Sequence, residues 1–273
     1  DLDFPDPNNP TDETSTIQSL VTGAEAQMRS GFGIWMRDLL VVGREAYYFE
    51  PADPRYTGEL LHGPVDPGGF LCYTPWAANY KVIANCQTIL ESAEADAGAK
   101  GFAQTVNAYC LMRVLALTDE NGARLNYDGD INVDVATKDE VLDEVVNLLD
   151  AAKTNLESAG DAFSFTLSSG FDGFNTPETF VHFNRGLKAR VSVLRDDWSA
   201  AQTALTSVEA WMNGADSDAG VYHVFSTGAN DVDNQMFEDP NAATLKLMVH
   251  PSFLTDAEDG DNRVSNNVLE RAE

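Results

Sequence analysis

Two apolar helical stripes, separated by nothing longer than an aspartate pair, constrain this chain more than any other feature. Thr176-Pro177 is an N-cap followed by proline at the first helical position, and Phe180, Phe183, Leu187 and Leu194 then recur on one face. Trp198, Ala201, Leu205 and Val208 form the second stripe. A connection as short as Asp196-Asp197 makes the two helices pack antiparallel. Small residues at Gly186, Ala189, Ala200 and Ala204 allow them to approach closely.

The same periodicity recurs upstream. Residues 14–28 place Ile17, Leu20, Val21 and Ala24 on one face, and residues 34–47 are predicted helical with Leu39, Leu40 and Val42 buried. A proline- and glycine-rich loop spans residues 51–69, and loops of that length are often functional. Helices follow over residues 75–95, with Trp76, Tyr80 and Ile83, and 99–117, with Phe102, Val106, Tyr109 and Val114. Beyond an Asp/Asn/Gly-rich loop at 118–136, Thr137 and Glu140 form a capping box that opens a helix carrying Val141, Val145, Leu148 and Leu149. After Met212 the pattern breaks: GVYHVFS reads as a short strand, and the remainder is irregular. The expected fold is mainly α, built from tetratricopeptide-like helical hairpins with long irregular loops. Three regions are expected: an extended tether over 1–13, a helical region over 14–213, and an irregular region from 214 to 273 whose packing partners lie beyond Glu273. The tether, DLDFPDPNNPT, is proline-rich and fits a mature form whose leader has been removed.

Hydrophobic residues make up 43% of the 273, enough for a sizeable core. No run approaches the roughly 18 apolar residues of a membrane span. Forty-four acids against 17 bases give a net charge of −27, which disfavours binding to nucleic acid or anionic lipid. Salt would screen that self-repulsion, so a saline habitat is one reading, and an acidic surface that merely aids solubility is the other. Cys72, Cys86 and Cys110 are too few and too oddly spaced for a disulfide framework, and the latter two fall within apolar helical patterns as buried thiols.

No nucleophile elbow, phosphate-binding loop or HExxH pair is present, and His62, His182, His223 and His250 lack metal-ligand spacing. The best metal candidate is Asp128, Asp130, Asn132 and Asp134, whose alternating oxygens resemble a calcium loop, although Val133 stands where an EF-hand needs glycine. A weaker acidic run covers residues 256–261. Solvated acidic loops are the plain alternative for both. Most aromatics sit at core spacing. Tyr47, Tyr48, Phe49, Tyr56, Phe70 and Tyr73, with Trp76 just inside the next helix, do not, and an aromatic without a periodic reason for burial is a candidate ligand surface.

Several segments, taken in order, resemble the SusD/RagB family. They are the tether; LLVVGREAYYFEPADPRYTGELLHGPVDPGGF as a first long loop; Trp76, Tyr80, Ile83, Ala84 and Asn85 as its W…Y..I.AN helix; TLSSGFDGFNTPETFVHFNRGLKARVSVLRDDW; and then GVYHVFSTGAND and HPSFLTDAEDGDNRV. The resemblance implies a surface lipoprotein of the outer membrane, lipid-anchored at its N-terminus. Such a protein captures an oligosaccharide or peptide nutrient as the lid of a SusC-like TonB-dependent transporter, without catalysis. It also places Tyr73, Trp76, Phe70 and Tyr48 nearest to where relatives present aromatics to ligand. Members of the family are longer and normally follow a lipid-modified cysteine, which this sequence lacks. Two other classes compete: a cytoplasmic tetratricopeptide-like interaction scaffold of a halophile, and a glycoside hydrolase with an acidic cleft.

Overall fold

The computed structural model describes residues 16–49, 53–127, 130, 132–228, 231–239, 241–242 and 246–270, and it is mainly α with helical hairpins. The tether expected over residues 1–13 lies outside the described residues. Helices α1 (Ile17–Arg29) and α2 (Phe32–Val42) precede a short strand β1 (Ala46–Tyr48). Next come α3 (Arg55–His62), α4 (Phe70–Glu91), α5 (Ala97–Thr118), α6 (Lys138–Glu157), α7 (Pro177–Leu194) and α8 (Trp198–Thr206). One-turn α9 (Glu209–Met212), strand β2 (Leu247–Val249), α10 (Ser252–Thr255) and α11 (Asn262–Asn267) complete the order. Two compact units result. One joins the chain up to Arg29 with Ala78–Val224; the other joins Ser30–Ala77 with Phe225–Glu273.

In the first unit, α5 is buried on nearly every side, with Phe102, Val106, Leu111 and Val114 at or near zero exposure. Asp96 caps it by accepting from the Ala99 N–H at 2.8 Å. Helix α6 packs along α5, α7 along α6 and α8 along α7, and of these pairs the α7–α8 pair is the one joined by a short link. The starts are those written in the sequence. Thr137 and Glu140 cap α6 reciprocally, and Thr176 caps α7 with Pro177 at its first position. Gly101 sits so close to α6 that an added Cβ would lie 2.6 Å from Leu156 Cγ. Around Phe102 gather Phe165, Phe180 and Phe171, at ring separations of 5.5, 5.8 and 6.5 Å. Helix α1 is stitched on by polar contacts: Gln18 pairs with both backbone groups of Thr166, and Glu25 accepts from the amide and hydroxyl of Ser168.

The hairpin between α7 and α8 forms as its short link requires, with Asp196 in left-handed backbone (φ 57°) and Asp197 capping α8. Its stripe is narrower than expected. Ala201, Ala204 and Val208 are buried, whereas Leu194 and Trp198 are exposed and Gly186 faces open space. The expected strand at GVYHVFS does not form. Tyr222 instead donates its N–H to the Gly170 carbonyl at 2.9 Å, and a Cβ at Gly170 would collide with the Tyr222 backbone.

The second unit brings residues 30–77 together with the chain after Val224, a grouping drawn differently from the division expected at residue 214. Antiparallel pairing joins β1 to β2, with Ala46 opposite Val249, Tyr47 opposite Met248 and Tyr48 opposite Leu247. Tyr47 therefore lies in a strand and not in the helix expected over 34–47, which ends at Val42. Leu39 and Val42 are exposed on α2, and the inward face uses Gly33, Asp38 and Val41. Residues 51–69 are not all loop, since α3 occupies their middle. Helix α4 starts at Phe70, earlier than Pro75, which falls inside it.

Candidate functional site

Of the four aromatics proposed to meet ligand, two are packing residues. Strand alternation turns Tyr48 inward at 6% exposure, beside Val41, Tyr56 and Leu71. Its ring lies 4.2 Å from that of Tyr56, which in turn meets Phe70 edge-on at 5.5 Å. The Arg55 guanidinium covers Phe70 at 4.3 Å. Phe70 packs against this core, so neither Tyr48 nor Phe70 offers a free aromatic face. A tyrosine at an inward strand position meets the core whatever the composition of the loop around it.

Tyr73 and Trp76 behave differently. They stand three residues apart on α4, with ring centroids 6.4 Å apart, and Tyr73 is 57% exposed. Spacing of i, i+3 puts them on one helix face. A second aromatic group lies on the outer face of the ribbon in the same unit. Tyr47 and Phe49, two residues apart and both exposed, approach to 4.8 Å, and the His250 imidazole lies 6.3 Å from Tyr47. Met248, opposite Tyr47, is exposed as well. The His250 ring is oriented by a 2.7 Å hydrogen bond between Nδ1 and Ser252 Oγ, and its amide donates to the Glu45 carbonyl at 2.9 Å. Sequence reasoning named Tyr47 and Phe49 individually. It missed His250, because only the long-range pairing of β1 with β2 brings that residue alongside. Exposed rings beside polar groups can stack on the apolar face of a sugar or of another flat ligand while the edges hydrogen-bond.

The calcium loop does not assemble from the residues described. Asp128 lies outside them. Asp130 spends its carboxylate locally: Oδ1 accepts from the Asn132 amide at 2.9 Å and from its side chain at 3.0 Å, and these bonds hold its pKa below the usual range. Among the described residues, no three His, Cys, Asp or Glu side chains converge, so Asp130 and Asp134 gain no third acidic ligand. In the second acidic run, Asp261 caps α11 and pairs with Arg263.

Two of the open pockets among the described residues lie in the first unit. One, of about 440 Å³, is lined by Asp150, Lys153, Arg185, Lys188 and the start of α8. Its buried cations are already engaged: Asp150 takes Arg185 Nη1 at 3.0 Å and Lys188 Nζ at 2.6 Å. The other, of about 330 Å³, is lined by Trp211, Tyr222, Asp172, Asp216 and Asp218. His182 stacks on Trp211 at 4.7 Å, and His223 shares a 3.0 Å hydrogen bond with the Tyr109 hydroxyl. Burial, then the nearby Arg113 and Arg29, push the His223 pKa down to about 4, so its imidazole is neutral at physiological pH. Among the described residues no helix is long and apolar enough to cross a membrane. No known protein-family model matches the chain, and a search of curated proteins finds no significant relative.

Proposed function

We propose that this chain captures a nutrient, an oligosaccharide, on the aromatic surface of its second unit. In this reading it serves as the lid component of a SusC-like, TonB-dependent uptake system, lipid-anchored to the outer face of the outer membrane. The observation that carries the reading is the exposure of Tyr73 beside Trp76, in a unit whose other central aromatics are spent on its core. An exposed ring with a second, partly exposed ring beside it on one helix face is a candidate contact surface. The ordered resemblance to SusD/RagB proteins supplies the biological setting. The dominant acidity fits a neutral ligand better than an anionic one.

The experiment is affinity electrophoresis of the chain through gels containing soluble polysaccharides of different linkage, with Tyr73→Ala and Trp76→Ala alongside. Retardation by at least one glycan, lost in both variants while their thermal unfolding is unchanged, is the expected result. Retardation that survives both substitutions would move the site elsewhere, and none with any glycan would remove the sugar from the proposal.

A second reading draws on a different observation. Trp198 is 64% exposed at the start of α8, with Leu194 and Leu205 also exposed on the same hairpin. That favours a protein-interaction scaffold of the tetratricopeptide kind. A Trp198→Ala variant that loses a specific protein partner but keeps glycan retardation would separate the two.

A further inference from the structure

Asp38 lies in the middle of α2, is only 6% exposed, and leaves one carboxylate oxygen, Oδ1, without a hydrogen-bond partner. Its surroundings hold little to neutralise a charge. On α2 itself Arg37 is adjacent in sequence, but its guanidinium is committed elsewhere. Nη1 donates to the Tyr56 hydroxyl at 3.1 Å and Nη2 to the Gln235 carbonyl at 2.7 Å. Tyr56 on α3 and Cys72 on α4 both feel the Asp38 charge, and they in turn lie near further acids, Asp53 for Tyr56 and Glu59 and Asp66 for Cys72. Every one of these except Arg37 is neutral or acidic. Burial accordingly pushes the Asp38 pKa up to about 7, with Arg37 offsetting only part of the effect. Burial, then Asp38 among other acids, raises the Cys72 thiol as well.

A buried carboxylate with an unpaired oxygen is tolerated far better as the neutral acid than as the anion. We propose that Asp38 is a proton-operated latch on α2: protonated, it lets α2 lie against α3 and the Val41–Tyr48–Tyr56–Leu71 core, and ionised, it drives α2 to open until the carboxylate meets water. The packed form holds a proton that the opened form releases at any pH between the ordinary carboxylate value near 4 and 7. Opening therefore becomes more frequent as pH rises across that window and levels off above it. Tyr48, which underlies the ribbon bearing Tyr47 and Phe49, rests on the same core, so the latch couples proton concentration to the support of the aromatic surface. That coupling rests on the proposed function; the latch does not.

The test is amide hydrogen exchange on the intact chain from pH 4.5 to 8, corrected for the intrinsic pH dependence of exchange. Residues 32–42 should open more readily with rising pH, by up to roughly tenfold per unit below pH 7. Asp38→Asn should remove that slope. Carbon-13 titration of the Asp38 carboxyl in the wild-type chain is the second readout, with a midpoint near 7 expected. A midpoint near 4, or a wild-type slope no steeper than that of Asp38→Asn, overturns the latch. Neither readout involves a glycan, so loss of the latch and loss of the nutrient-capture reading are separate results.

Discussion

Arg185 on α7 reaches across to Asp150 on α6, placing Nη1 3.0 Å from Oδ1 while its Nη2 donates to the Leu149 carbonyl at 2.6 Å. The guanidinium is buried, the carboxylate is half in water, and Lys188 takes the other carboxylate oxygen at 2.6 Å. Removing Asp150 leaves two largely buried cations without their anion. Asp150→Ala should destabilise the chain by about 2 kcal/mol, less than a fully buried pair because solvent screens the exposed carboxylate. Denaturant unfolding at pH 7 checks this. The pair also sets a pH dependence. Burial alone would raise the Asp150 pKa, but hydrogen bonds from Lys188 and Arg185 outweigh it and hold the pKa below the ordinary value. A carboxyl depressed on folding contributes stability that is complete above its unfolded pKa near 4 and is lost as pH falls through its lower, folded value. Acid unfolding of Asp150→Ala should lack that component below pH 4.

Two glycines in neighbouring helices should respond oppositely to alanine. At Gly101 the new methyl would press on Leu156 and lie 3.1 Å from the Ala152 carbonyl, forcing α5 and α6 apart, a loss of about 2 kcal/mol. Gly186 is mid-helix in α7 with nothing near its missing Cβ, so Gly186→Ala should gain about 0.5–1 kcal/mol from helix propensity. Melting temperatures moving in the same direction would contradict this account of the α5–α6 contact.

The start of α7 depends on Thr176, whose Oγ1 accepts from the Thr179 amide while its own amide donates to the Thr179 hydroxyl, both at 3.2 Å. Thr176→Ala should cost about 1 kcal/mol, and Thr176→Ser should recover most of it. Chemical denaturation of the pair decides whether the cap contributes through its hydroxyl.

Tyr48 and Tyr73 lie 25 positions apart in one unit and should divide stability from binding. Tyr48→Ala opens a cavity beside Tyr56 and should lower the stability of that unit by about 3 kcal/mol. Tyr73→Ala removes an exposed ring and should leave the melting temperature unchanged to within about 1 °C, the usual outcome for a surface substitution. Calorimetry of the two variants reads this directly.

The hairpin half of the fold was legible in the sequence because its signals are local. The capping box at Thr137, the Thr-Pro start at Thr176 and the aspartate turn at 196–197 each act within a few residues, and the structure has all three. The ribbon was not legible. Its strands are three residues each, too short for alternation to stand out, and the partner of Tyr47 is Met248. Missing that pairing put Tyr47 in a helix and left Tyr48 as a loop aromatic free to meet ligand. Helix α3 was hidden for another reason: its 8 residues sit between prolines and glycines, whose turn preferences dominate any window that long. The candidate site was thus half readable. Tyr73 and Trp76 carry their i, i+3 spacing in the sequence itself, whereas His250 reaches Tyr47 only through tertiary structure.

The ribbon has a consequence for the order of events during synthesis. Residues 49 to 246 lie between its two strands, so β1 emerges from the ribosome long before β2 exists to pair with it. Val41, Tyr48, Tyr56 and Leu71 can pack together before then, but Leu247 and the backbone partner of β1 arrive only after α5 to α8, whose contacts are more local, have been made. Through that interval β1 is an unpaired strand edge, the kind of backbone that other chains can pair with.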